Sequence, residues 1–118
     1  MAISEKEADH LHDFKKKVLR AFPHRIKGIA LFGSRATGRA GKHSDYDVFI
    51  RVDKRDRNLV DAIFDMAYDI YIDSNLSVDI SPVIISHDYF ESRLSQERKI
   101  AKDIVEQGIS LWNKRVKK

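Results

Sequence analysis

Cysteine is absent from this 118-residue sequence, tryptophan occurs once, and there are only two prolines and five glycines. Without cysteine, neither a disulfide nor a zinc–thiolate site can hold the fold. No apolar run approaches the roughly 20 residues that cross a bilayer, and the opening MAISEKEADH lacks the apolar core of a secretory signal. A soluble, cytoplasmic protein is expected. No low-complexity segment or internal repeat stands out, and the length suits one core, so a single domain over residues 1–118 is expected. What is present is ordinary for a globular chain: 42% hydrophobic and 34% charged residues, with a net charge of +4. The basic balance permits phosphate, nucleic acid or an acidic protein without choosing among them. Much of the excess lies in the tail NKRVKK, read as a solvated end and the one place suited to a nucleic-acid contact.

The pattern of apolar residues predicts alternating helices and strands. Ser4 as N-cap with Glu7 as capping-box partner opens a helix carrying Ala8, Leu11, Phe14, Val18 and Leu19, which stops near Pro23. RIKGIALFG is a strand that Gly33 ends, SRATGRA a short helical turn or loop, and YDVFIRV a second strand. Leu59, Ile63, Met66, Ala67 and Ile70 keep helical spacing between about Arg55 and Ser74. LSVDISPVII is a third strand, with Pro82 marking an edge or an end. The remainder, through ISLW, is expected to be one or two helices, with Gly108 as a C′ residue. The fold class is α/β: a small mixed sheet flanked by helices.

The stretch ALFGSRATGRAGKHSDYDVFIRV, residues 30–52, carries the chemistry. Side chains alternate along a strand, so Asp45 and Asp47 share a face while Tyr46 and Val48 point away. Two carboxylates so placed repel, and one keeps its proton unless a cation intervenes. Magnesium, with hard oxygen ligands and substrate phosphates completing its shell, resolves that conflict. Asp79, between Val78 and Ile80, is an odd charge in an apolar run and reaches the same point if the second and third strands are neighbours. Three convergent carboxylates suit two-metal phosphoryl or nucleotidyl transfer. Gly33 and Ser34 would take the phosphates through close backbone approach and a hydroxyl, with Arg35 and Arg39 as nearby cations and Lys42 and His43 in the same loop. Each piece alone has an ordinary explanation as a turn, a cap or a solvated face. The joint order argues for a site.

GSRATGRAGKHSDYD fits Gly-Ser, ten residues, then Asp-x-Asp, and resembles the signature of the DNA polymerase β-like nucleotidyltransferases. With its short length and the closing IVEQGISLW, the chain from about Lys27 to Trp112 is similar to the minimal nucleotidyltransferases, antitoxins paired with HEPN-domain toxins. The resemblance implies a nucleotidyltransferase fold and assigns Gly33, Ser34 and Arg35 to the triphosphate and Asp45, Asp47 and Asp79 to two magnesium ions. It implies AMP transfer from ATP to a hydroxyl, such as a tyrosine, of a HEPN RNase toxin. One departure is Thr37, where many relatives have arginine; Arg39 stands close by.

The chain has little room for an acceptor-binding domain, so a partner protein or an oligomer is expected to complete the site. Tyr68, Tyr71, Tyr89, Phe90 and Trp112 are candidate partner-facing residues, with core packing as the alternative for each. Two other functions compete with protein adenylylation: a non-catalytic module that masks its partner stoichiometrically, and nucleotidyl transfer to a small molecule.

Overall fold

The computed structural model describes residues 5–33, 45–95 and 108–113. Helix α1 (Glu5–Ala21) leads into β1 (Ile26–Phe32), followed by β2 (Tyr46–Val52) and helix α2 (Arg57–Asp73). Strand β3 (Ile80–Ser86), helix α3 (His87–Ser95) and β4 (Ile109–Asn113) complete the described elements. Glu5 and Glu7 in the first turn of α1 and Arg20 in its last complement the helix dipole. The expected cap Ser4, the SRATGRA segment and residues 96–107 lie outside the described residues.

The strands form one mixed sheet in the order β3-β2-β1-β4. β1 pairs antiparallel with both β2 and β4, and β2 pairs parallel with β3. Pro82 therefore sits in an edge strand, where its missing N–H breaks no second ladder. On β2, Tyr46, Val48, Ile50 and Val52 are buried in the main core. Leu11, Phe14 and Val18 of α1 and Leu59, Ile63, Ala67 and Ile70 of α2 supply the helical side of that core. A smaller cluster on the other face joins Phe49 to Phe90 of α3, ring centroids 5.1 Å apart, with Phe32, Val83 and Ile85 around them. A bulge between Ile26 and Gly28 explains why Ile26 and Ile29, three residues apart, are both core residues.

Two expectations need correction. ISLW is not the end of a helix: Ile109–Asn113 is a strand on the outer edge of β1. Its pairing satisfies β1 backbone groups that would otherwise form an open edge, and Leu111 and Trp112 pack against the core. The third strand begins at Ile80 rather than near Leu76, because Asn75 (φ 56°) and Leu76 (φ 66°) turn the chain in the left-handed region after α2.

Arg25 ties the start of β1 to the start of α2. Its guanidinium donates to Asp53 Oδ1 (3.1 Å), Lys54 O (2.6 Å) and Asp56 Oδ2 (2.8 Å). Asp56 is also the N-cap of α2, accepting from Leu59 N at 2.9 Å. The Leu59 N–H and Arg25 hold the Asp56 carboxyl below its ordinary range. Partial burial pushes Asp53 the other way, but the Lys54 N–H and Arg25 outweigh it and its carboxyl is also lowered. Carboxyls lowered on folding stabilise above their unfolded pKa and lose that contribution as pH falls through the folded value. Arg25→Ala is therefore expected to lower Tm on the order of 5 °C at pH 7. The gap from wild type should narrow below about pH 4 in a pH series of melts. A gap independent of pH would mean that the ion pairs contribute nothing.

Candidate active site

The expected carboxylates gather at one edge of the sheet, where β1 ends and β2 and β3 begin. Phe32 is paired with Asp47, and Tyr46 with Ile80. Tyr46 N donates to Asp79 O at 2.8 Å. Gly33 thus follows β1, Asp45 precedes β2, and Asp79 precedes β3 at the level of Asp45. Asp79 stands just before its strand rather than inside it.

The chain positions this edge from both ends. Tyr46 is buried beneath it, and its hydroxyl donates to the Glu7 carboxylate of α1, linking the start of β2 to the first helix. Ser74, the buried C-cap of α2, donates through Oγ to Tyr71 O (3.1 Å) and accepts from Val78 N (2.9 Å). Ser77 Oγ donates to Ser74 O at 2.7 Å. With Val78 fully buried, these bonds fix the short segment that delivers Asp79. Neither anchor was among the expected site residues. The turn-forming run DSNLS was a legible signal for the second, whereas the Tyr46–Glu7 contact joins residues 39 positions apart.

Asp45 is the electrostatic centre of the group. Burial, and then the neighbouring charge of Asp45, raise the Asp47 carboxyl above its ordinary range. Burial, the charge of Asp45 and a hydrogen bond with it raise Asp79 in the same direction. Among the described residues, no cation is ion-paired with any of the three. The carboxylates are coupled as two pairs sharing Asp45, Asp45–Asp47 and Asp45–Asp79, and among the described residues no three such side chains form a ready-made metal cage. Oxygen-only donors whose mutual repulsion is uncompensated fit a hard divalent cation.

Gly33 belongs to the same constellation. Its φ is +73°, and a Cβ there would lie 2.5 Å from Asp47 Oδ2. Glycine is thus required twice, by the backbone conformation and by the carboxylate against it. Ser34, Arg35, Thr37, Arg39, Lys42 and His43 lie outside the described residues. Of the aromatic candidates, Tyr68 and Tyr89 are exposed, Tyr71 and Trp112 partly buried, and Phe90 is a core residue. A separate cleft of about 350 Å³, lined by Arg55, Ile84, Ile85, Ser86 and Tyr89, lies toward the far end of β3 from Asp79.

Comparison with known proteins bears on the fold and the family. No protein of curated function matches the chain. Among solved structures, a chain of a toxin–antitoxin complex with AMP-PNP is similar with 24% identity and a TM-score of 0.58, over 88% of this chain and 74% of that one. A Sulfolobus solfataricus protein assigned as a nucleotidyltransferase has 16% identity and a TM-score of 0.55, over 97% and 93% of the two chains. A chain from the complex of the tri-AMPylated Shewanella oneidensis HEPN toxin with its MNT antitoxin has 22% identity and a TM-score of 0.50, over 92% and 73%. These likenesses establish the shared fold. The model of the nucleotidyltransferase domain matches residues 11–109, almost the whole chain and the full sheet edge with its three aspartates, and the chain belongs to that family.

Proposed function

We propose that this single-domain protein transfers AMP from ATP to a hydroxyl of a HEPN-type toxin in the cytoplasm and so acts as its antitoxin. The observation that carries the reading is the packing of Gly33 on the Asp47 carboxylate, beside the coupled Asp45–Asp79 pair, in a nucleotidyltransferase chain. The similar complexes support the choice of substrate and partner, since one holds AMP-PNP and another an AMPylated HEPN toxin.

In this reading Gly33 and Ser34 receive the triphosphate, the glycine by letting backbone approach phosphate and the serine by its hydroxyl. Arg35 and Arg39 add charge beside the phosphate oxygens. Asp45, Asp47 and Asp79 hold two magnesium ions, which when bound neutralise charge developing on the phosphates. The acceptor oxygen forms a bond to the α-phosphorus as the bond to the departing pyrophosphate breaks. Asp79, exposed beside Asp45 at the carboxylate edge, is placed to take the acceptor proton. Catalysis is then largely positioning and charge neutralisation. Among the described residues no helix is long and apolar enough to cross a membrane.

The test is incubation of the co-purified complex with Mg²⁺ and labelled ATP, followed by intact mass of both chains. Gain of one or more AMP units on the partner, abolished by EDTA, is the expected result. Tight association without any mass gain would overturn transfer and leave stoichiometric masking.

A further inference from the structure

From Asp61 onward the sequence repeats a four-residue unit, DAIF DMAY DIYI DSNL, ending at Leu76. In every unit an aspartate is followed three residues later by a large apolar side chain, and i, i+3 residues are neighbours on a helix. Four residues make slightly more than one turn, so the two rows wind side by side along α2, which ends at Asp73, and Leu76 follows in the turn beyond it. The core takes a different set, Leu59, Ile63, Ala67 and Ile70. Phe64, Tyr68, Ile72 and Leu76 consequently remain 49%, 63%, 50% and 57% exposed. Single exposed apolar residues need no explanation, but three in one row, with a fourth just past the helix end, form a patch of the kind that marks an interface.

Two further observations say what covers it. Leu76 is held in the left-handed region (φ 66°), a conformation costly for a leucine, by its N–H donating to Tyr71 O at 2.8 Å. The fold thus keeps an apolar side chain outward at the end of the row instead of burying it. The charge is equally specific. In a chain of net charge +4, α2 carries four aspartates and a single base, Arg57. Asp61 meets Arg57 at 3.7 Å and Asp69 meets Lys17 at 3.9 Å, both exposed pairs of little worth. Among the described residues Asp65 and Asp73 form no ion pair. A second copy of the chain would bring the same acids to the contact, with Arg57 the only base on the helix to oppose them. The face instead asks for a basic partner.

We infer that this face docks an amphipathic helix of the partner protein, its apolar stripe against Phe64, Tyr68, Ile72 and Leu76 and its Lys or Arg residues against Asp61, Asp65, Asp69 and Asp73. The row ends three positions before Asp79, so a partner seated on it is carried toward the carboxylate edge. That last link rests on the proposed transfer to a protein acceptor; the docking itself does not.

The test uses the full chain and two labelled helical peptides, both with leucine at every fourth position, one carrying lysine and the other glutamate beside each leucine. Fluorescence anisotropy is expected to show saturable binding of the lysine peptide and none of the glutamate peptide. The paired change Asp65→Lys and Asp69→Lys should reverse that preference, and Tyr68→Ser with Ile72→Ser should weaken lysine-peptide binding at least tenfold, with Tm nearly unchanged. Equal binding of both peptides, or binding indifferent to these changes, overturns the proposal. So does a wild-type dimer in sedimentation that Tyr68→Ser dissociates, which would give the face to a second copy. The binding readouts do not depend on transfer, so loss of AMP transfer with docking intact condemns the proposed function alone. Transfer to the partner at an undiminished rate in the Tyr68→Ser, Ile72→Ser variant would condemn the docking face alone.

Discussion

Replacing Asp45 and Asp47 together by asparagine is expected to abolish AMP transfer, by at least about a thousandfold, while raising the melting temperature of the metal-free protein by a few degrees. The two effects have one cause. Asp47 is pushed up by burial and by the charge of Asp45, and Asp79 by burial and by contact with Asp45. Ionised carboxylates in that position oppose folding, and the amide of asparagine removes the repulsion at nearly constant volume. The same repulsion is what a divalent cation and phosphates would relieve. Magnesium should therefore raise the Tm of the wild type and leave the double variant unmoved. Residues kept against stability in this way are what a trade between stability and activity predicts. The measurement is a set of melts with and without Mg²⁺ beside the mass assay. A variant that melts lower than wild type without metal, or that retains transfer, would remove the electrostatic basis of the site.

How much of this was legible in the sequence depends on the distance over which each feature is decided. β2 was read to the residue, since its apolar alternation and its opening aspartates are local. The shared face of Asp45 and Asp47 follows from the two-residue period of a strand and needs no fold. The contact of Asp79 with Asp45 needed the parallel pairing of β2 with β3, which the sequence suggested only as a condition. β4 was misread because five residues show too little periodicity to separate strand from helix, and the pairing that decides the matter is with Gly28–Leu31, about 80 residues earlier. The four-residue repeat in α2 is hard to read from sequence for a different reason. Ile63, Ala67 and Ile70 account for a helix on their own, and of the outer row only Tyr68 is a candidate partner-facing residue from the sequence, with core packing as its alternative. Only the exposure of Phe64, Tyr68 and Ile72 distinguishes the outer row from core.

Gly33→Ala is expected to cost transfer about a hundredfold and to lower Tm by a few degrees, a large effect for one methyl group. Part of the cost is conformational, since alanine at φ +73° is strained by about 1 kcal/mol or more. The larger part is positional. The new Cβ would stand 2.5 Å from Asp47 Oδ2, well inside contact distance, so either the carboxylate rotates away or the end of β1 withdraws. Rotation takes Asp47 out of its place beside Asp45, and withdrawal takes the backbone proposed to receive phosphate away from the aspartates. Both spoil the same alignment. The two contributions can be separated by a double-mutant cycle with Asp47→Ala. Backbone strain persists in the Asp47→Ala background, whereas the collision disappears with the carboxylate, so the Tm penalty of Gly33→Ala should shrink there but not vanish. Full additivity would show that Gly33 and Asp47 do not act on each other. The role of the glycine would then be confined to its turn, and the close approach that joins the proposed phosphate-binding end of the site to its carboxylates would lose its support.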